Sequence, residues 1–196
     1  MKPSAKISMF ATIQHGSGRI PTAAASLGLG IASLGWALEN AAPLGGVAQV
    51  SGAALSSVLL ACVAGKFLLH PAMVAQEMRH PVTGSILPTL AMGLMVVSRA
   101  LGAFVPAAGE MLWVFAVSLH LFFLAGFAWC HLRRFRFSAM VPSWFVPPVG
   151  IITAALASPG GSYATCAEGL TAFGLANIAL PQSIMAYPGH LTHPPG

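Results

Sequence analysis

An all-α, polytopic integral membrane protein of about six spans is the fold class this sequence predicts. Three observations predict it. Hydrophobic residues make up 56% of the chain and charged residues 7%, against roughly 25% charged in an ordinary soluble domain. Apolar runs of about 20 residues recur, the length a helix rising about 1.5 Å per residue needs to cross roughly 30 Å of hydrocarbon. The nine basic residues collect in alternate connectors, which is the pattern that orients membrane helices.

Residues 1–19, with Lys2, Lys6, His15 and Arg19, read as a basic tail. It is too long and polar for the leader of a secretory signal, so insertion is expected through the first helix. The first run, 20–38, has Pro21 at a natural first-turn position. Ala24, Gly28, Ala32 and Gly35 share one face of it, and such a small-residue strip lets another backbone approach closely. The second run, 44–69, is nearly uninterrupted apart from Gly52 and Gly65. A short polar connector with Glu77, Arg79 and His80 leads to the third run, 85–104, which carries Pro88, Thr89, Gly93 and Ser98. The fourth, 111–131, holds Trp113, Phe115, Phe122, Phe123, Phe127 and Trp129, a surface suited to lipid tails. The fifth, 141–157, has three prolines and Gly150 in its first half, and the sixth, 163–187, is interrupted by Pro181. A short tail, 188–196, follows.

Odd runs are thus kinked, small or polar, while the fourth and more weakly the second are plain. Broken helices are tolerated in a bilayer where protein or a watery cavity satisfies their freed backbone groups, so the odd helices are expected inside and the even ones outside. With the amino terminus in the cytoplasm, Lys2, Lys6, Arg19, Lys66, Arg79, Arg133, Arg134 and Arg136 lie inside. Glu39, Glu110 and Glu168 then lie outside with Arg99 alone among the basic residues. The expected location is the plasma or inner membrane, with lipids as partners.

Composition also excludes. The net charge of +5 does not point to nucleic acid, because the basic residues are strung between apolar runs rather than clustered on a polar face. Cys62, Cys130 and Cys166 lie in apolar runs and read as small buried hydrophobes. No enzyme is expected: a hydrolase needs a nucleophile with a base, or paired carboxylates, at membrane depth, and the four acidic residues fall at run ends. No cofactor or metal is expected. His120 and His131 share a helix face but stand about 16 Å apart along it, and each reads as a satisfied or interfacial histidine. His190 and His193 make a weak metal pair in a proline-rich tail. Gly28, Gly30 and Gly35 have the wrong spacing for a dinucleotide loop.

Two arginines are anion-attracting candidates. Arg79 reads first as an orientation anchor, partly neutralised by Glu77 at the headgroups, with an anion vestibule as the alternative. Arg99 reads first as a snorkelling cation, with an outer anion attractor as the alternative.

Three stretches carry a family resemblance. R-I-P-T-A-A-A-S-L-G-L-G-I-A-S-L-G-W-A (19–37), H-P-A-M-V-A-Q-E-M-R-H-P-V-T-G-S-I-L-P-T (70–89) and V-P-S-W-F-V-P-P-V-G (141–150) resemble the first helix, the second-to-third-helix connector and the fifth-helix entry of the tellurite-resistance/dicarboxylate transporter family. Its relatives include the TehA-type bacterial channels and the plant slow anion channels. The resemblance covers about 19–180. It implies passage of small inorganic or organic anions, by a channel or an exporter. The family plan is five helical hairpins around a pore lined by odd-numbered helices, assembled as a trimer, and this chain holds three of the five hairpins. On that plan the pore-lining candidates are Gly28, Ala32, Gly35, Pro88, Thr89, Gly93, Pro147 and Gly150. The family's ninth helix, which bears the occluding phenylalanine, has no counterpart here. A stopped or frame-shifted reading with a longer form is one expectation. A non-conducting fragment or interaction subunit is the alternative function.

Overall fold

A computed structural model of the chain describes residues 18–132 and 142–185. Residues 1–17 of the basic tail, Arg133, Arg134, Arg136 and the histidines at 190 and 193 lie outside the described residues. Among the described residues every regular element is helical. They are α1 (Ala23–Ala41), α2 (Val47–Leu69), α3 (Pro71–Arg79), α4 (Pro81–Ile86), α5 (Pro88–Gly102) and α6 (Pro106–Leu132). A 3₁₀ turn (Pro142–Phe145), α7 (Val146–Val149), α8 (Ile151–Leu156), a second 3₁₀ turn (Gly161–Tyr163) and α9 (Ala164–Met185) complete the order. The segments 47–69, 81–102 and 106–131 are long and apolar enough to cross a membrane.

Sequential elements pair as hairpins, and glycines let them close. Ala25, Gly28, Ala32 and Gly35 are the buried face of α1. A Cβ on Gly35 would run into the carbonyl oxygen of Ala48 and the Cα of Gly52, and one on Gly52 would stand 2.9 Å from the Ile31 carbonyl. The α5–α6 hairpin repeats the device, with Gly109 set against Gly102 and the Ser98 carbonyl. Side-chain-free backbone contact is what small residues offer in a bilayer, where no hydrophobic force pushes helices together.

The α1–α2 turn is built by Glu39. Its carboxylate accepts the backbone N–H groups of Leu44 (2.9 Å), Gly46 (2.8 Å) and Ala48 (3.3 Å), while Gly45 and Gly46 take φ of 70° and 85°. Glu39 therefore supplies acceptors to the N-terminus of α2, where backbone donors have no partners of their own. The N–H of Gly46 above all holds this carboxyl below its usual pKa. A lowered folded-state pKa stabilises the hairpin at pH above the usual carboxylate range, and that contribution is lost as pH falls through the lowered value. Glu39→Gln is expected to lower the thermal midpoint at pH 7 and to flatten its acid limb, measured by pH-dependent thermal unfolding in micelles.

Two boundaries differ from the sequence expectation. The polar connector is itself a helix, α3, started by Pro71 and stopped before Pro81. The third span begins four residues earlier than expected, because His80 Nδ1 accepts from the N–H groups of Val82 and Thr83 (3.3 Å each) and caps α4. Pro88 then divides that span at Leu87 rather than ending it. The fifth run is divided at Gly150 as its prolines suggest. Pro181 does not end α9.

The inside–outside contrast is graded. Within the most apolar stretches, 61% is buried for 81–102, against 39% for 47–69 and 28% for 106–131. The span through α5 is therefore the centre, packed on α1, α2, α6 and α8. Only half the aromatics of α6 face outward: Phe115, Phe122 and Trp129 are exposed, while Trp113, Phe123 and Phe127 are buried. A 27-residue helix with rings on every side must turn some of them toward its partners. The cysteines are a correction: Cys62 and Cys166 are exposed and Cys130 half-buried, all as free thiols. An apolar side chain needs no burial in protein when the surrounding solvent is lipid.

Candidate functional site

The central helices are stitched together by hydroxyl pairs. Ser26 on α1 and Thr89 on α5 share a hydrogen bond of 3.1 Å. Ser85 on α4 donates to Ser143 in the first 3₁₀ turn at 2.7 Å. Thus the first, third and fifth spans meet through small polar groups, which satisfy one another where water is scarce.

All eight residues nominated as pore-lining candidates are buried. Gly28 faces Leu60 and Ser56 of α2, each 3.4 Å from a Cβ added there, and Gly93 faces Leu60 from the other side. Ala32 and Gly35 continue the α1 seam. Pro88 opens α5, and Thr89 also donates to the Ile86 carbonyl at 2.7 Å. The Pro147 carbonyl is 2.9 Å from His120 Nε2, and Gly150 lies against Met92, the Val146 carbonyl and the same imidazole. The structure therefore groups Pro88, Thr89, Pro147 and Gly150 around the breaks of the central helices. It sets Gly28, Ala32, Gly35 and Gly93 into contacts between helices.

Each histidine meets a backbone carbonyl through Nε2, but His120 is satisfied only in part, because its buried Nδ1 has no hydrogen-bond partner among the described residues. His120 is wholly buried with its bond to Pro147, and His131 Nε2 lies 3.0 Å from the Met78 carbonyl, against Phe127 and Trp144. Among the described residues no group of three or more His, Cys, Asp or Glu could hold a metal.

The two arginines stand at opposite ends of the bundle. Arg99 is exposed, its guanidinium 5.0 Å from the centroid of the Trp36 ring, a cation–π arrangement. It lines a cavity of about 410 Å³ together with Gln49, Ser98, Glu110, Trp113 and the 157–159 turn. On the rim, Tyr163 donates to Glu110 at 2.8 Å, and this carboxylate raises the phenol's pKa. Arg79 is exposed at the end of α3.

Glu77 is not Arg79's partner. Among the described residues the ion pair is Lys66–Glu77, at 2.5 Å, with the side chain of Lys66 only 3% exposed and that of Glu77 15%. Lys66 also donates to Thr22 Oγ1 at 3.0 Å, and Thr22 Oγ1 donates to the second Glu77 oxygen. Residues two apart on a helix do not face each other, so Glu77 turns away from Arg79 and into the α1–α2 hairpin. The sequence carried a signal for this: Gly52, Ser56, Leu60 and Val63 form the buried stripe of α2, and Lys66 is its next member.

Comparison with known proteins agrees with this architecture. A family model described as a voltage-dependent anion channel (SLAC1) matches residues 20–187. No curated protein and no solved structure matches the chain. The match spans all the helices described above and is the family type to which the three quoted stretches of sequence point. The chain belongs to the voltage-dependent anion channel family, a family of membrane channels and transporters for anions.

Proposed function

We propose that the chain passes small anions through a path lined by its first, third and fifth spans, that is α1, α4–α5 and the segment from Pro142 to Leu156. The observation that carries this reading is the central span. It is the most buried, it is divided at Leu87, and hydroxyl pairs join it to both of the other lining spans. A path of hydroxyls, glycines and prolines binds anions weakly enough to release them, with cations kept to the mouths.

In this reading Pro88, Thr89, Pro147 and Gly150 shape the path. Gly28, Ala32, Gly35 and Gly93 act by letting the lining helices and α2 close up. The Lys66 end faces the cytoplasm and the Arg99 end faces outward, with α9 forming a hairpin with the fifth span. Three such hairpins per chain, a trimer and a multi-pass place in the cell membrane complete the proposal.

Flux of chloride, nitrate and malate from liposomes tests it. Anion efflux above that of empty vesicles is the expected result. Vesicles that stay tight to all three would favour an interaction subunit instead. Arg99→Gln is expected to reduce uptake from the outward side by about tenfold at low ionic strength. That deficit should shrink as salt screens the mouth.

A further inference from the structure

Lys66, Thr22 and Glu77 form a cluster that the proposed path does not use. The donors belong to one unit: the ammonium is on α2, and the hydroxyl is on the residue preceding α1, its hairpin partner. The acceptor comes from elsewhere, on the nine-residue helix α3. Each oxygen of the Glu77 carboxylate takes one donor, Oε1 from the ammonium and Oε2 from the hydroxyl. The ammonium also reaches the hydroxyl oxygen, 3.0 Å away. An ammonium and a hydroxyl converging on two oxygens of one small anion make an anion site, and here the anion is a side chain.

We propose that Lys66 and Thr22 constitute an anion-binding site which Glu77 occupies as a tethered carboxylate, and from which a free monovalent anion displaces it. The approach is from the Glu77 side, where that side chain keeps 15% of its surface exposed. Glu77 is the more exposed partner, while Lys66 is sealed behind it with Phe67 beside its ammonium. Displacement moves only a side chain. The Glu77 carbonyl stays bonded to Thr83 Oγ1 (3.0 Å), and the neighbouring Met78 carbonyl stays against His131, so α3 keeps its place. The charge balance selects the ligand class. One ammonium is already matched by one carboxylate, and the displaced carboxylate remains nearby. A monovalent anion such as formate, nitrate or chloride is therefore accommodated at less repulsion than a dicarboxylate.

The proposal rests on the anion-passing reading only for the source of its ligand, and binding is measured without flux. A tether holds its group at an effective concentration of millimolar order or higher, so freeing the site should strengthen binding. The test uses full-length protein in detergent micelles, with thermal midpoints read against sodium formate, nitrate or chloride at constant ionic strength in gluconate. Glu77→Gln is expected to bind formate at least about tenfold more tightly than the unsubstituted chain. Adding Thr22→Val should remove most of that gain, and in the unsubstituted chain, where the displaced carboxylate remains, succinate should bind more weakly than formate. Where Glu77→Gln does not accumulate, Glu77→Asp, which keeps the charge and withdraws it by a methylene, is expected to show a smaller gain of the same kind. A Glu77 variant whose midpoint is the same in formate, nitrate, chloride and gluconate overturns the proposal and leaves a clamp between helices. Anion binding without liposome flux would keep this site and remove the transport reading. Flux without binding gain would do the reverse.

Discussion

Gly35→Leu is expected to separate α1 from α2 and cost the protein at least about 3 kcal/mol, the upper range for overpacking a tight interior. The argument is steric. A Cβ at this position collides with the Ala48 carbonyl oxygen and leaves the Gly52 Cα 3.1 Å away, and both are backbone atoms that no rotamer change can move. The helices must part, and the Glu39 bonds that close their turn must stretch with them. Gly30 supplies the control on the same helix. Nothing lies within 4 Å of a Cβ built there, and alanine is the better helix former by about 1 kcal/mol. Gly30→Ala should leave the protein as stable as before or slightly more so. Unfolding by heat or denaturing detergent, compared across the two variants, reads the difference. Equal midpoints for Gly35→Leu and Gly30→Ala would sink the backbone-contact account.

The second large effect concerns the buried pair. Glu77→Leu removes the counter-charge from an ammonium only 3% exposed, leaving it the Thr22 hydroxyl alone. Breaking one side of a buried pair costs about 3–5 kcal/mol, because the orphaned charge keeps its desolvation penalty. Replacing both members by apolar residues removes the penalty along with the attraction. Lys66→Met combined with Glu77→Leu is therefore expected to recover most of the loss, and a double-mutant cycle of unfolding free energies measures the coupling. Additive losses in the cycle would mean that the two side chains act independently.

Much of the fold could be read from residues in order. The apolar runs predict helices because only a helix satisfies its own backbone in lipid, and the prolines at 88, 147 and 148 mark where the central spans divide. α3 was less legible. With a mean composition near neutral and a proline at either end, P-A-M-V-A-Q-E-M-R reads as a connector, and its helix is fixed by Met78 packing in the core. The Lys66 cluster was legible only in part. A lysine at the end of an apolar run looks like an orientation charge, and its inward direction appears only when the stripe through Ser56, Leu60 and Val63 is followed one step further. Thr22 lies 44 residues away in the chain, and no local pattern announces such a partner. The hydroxyl pairs were hidden for the same reason, since Ser26 and Thr89 belong to different spans and each is unremarkable in its own. The proposed lining glycines show a further limit. Small residues serve close helix contact and an open path equally well, and Gly28 and Gly35 prove to be in contact with α2.

The helices of this bundle are not equally tall. α6, at 27 residues, is about 40 Å long, while α1, at 19 residues, is about 28 Å. A hydrocarbon layer of roughly 30 Å fits the second and not the first. α6 must therefore lean, or stand proud of the layer at one end, and thinner bilayers make it lean further. Because Gly109 holds α6 directly against Gly102 and the Ser98 carbonyl of α5, that lean is passed to the central span without a cushion of side chains. Membrane thickness thus has a mechanical line to the outer end of the central span, beside the Arg99 cavity.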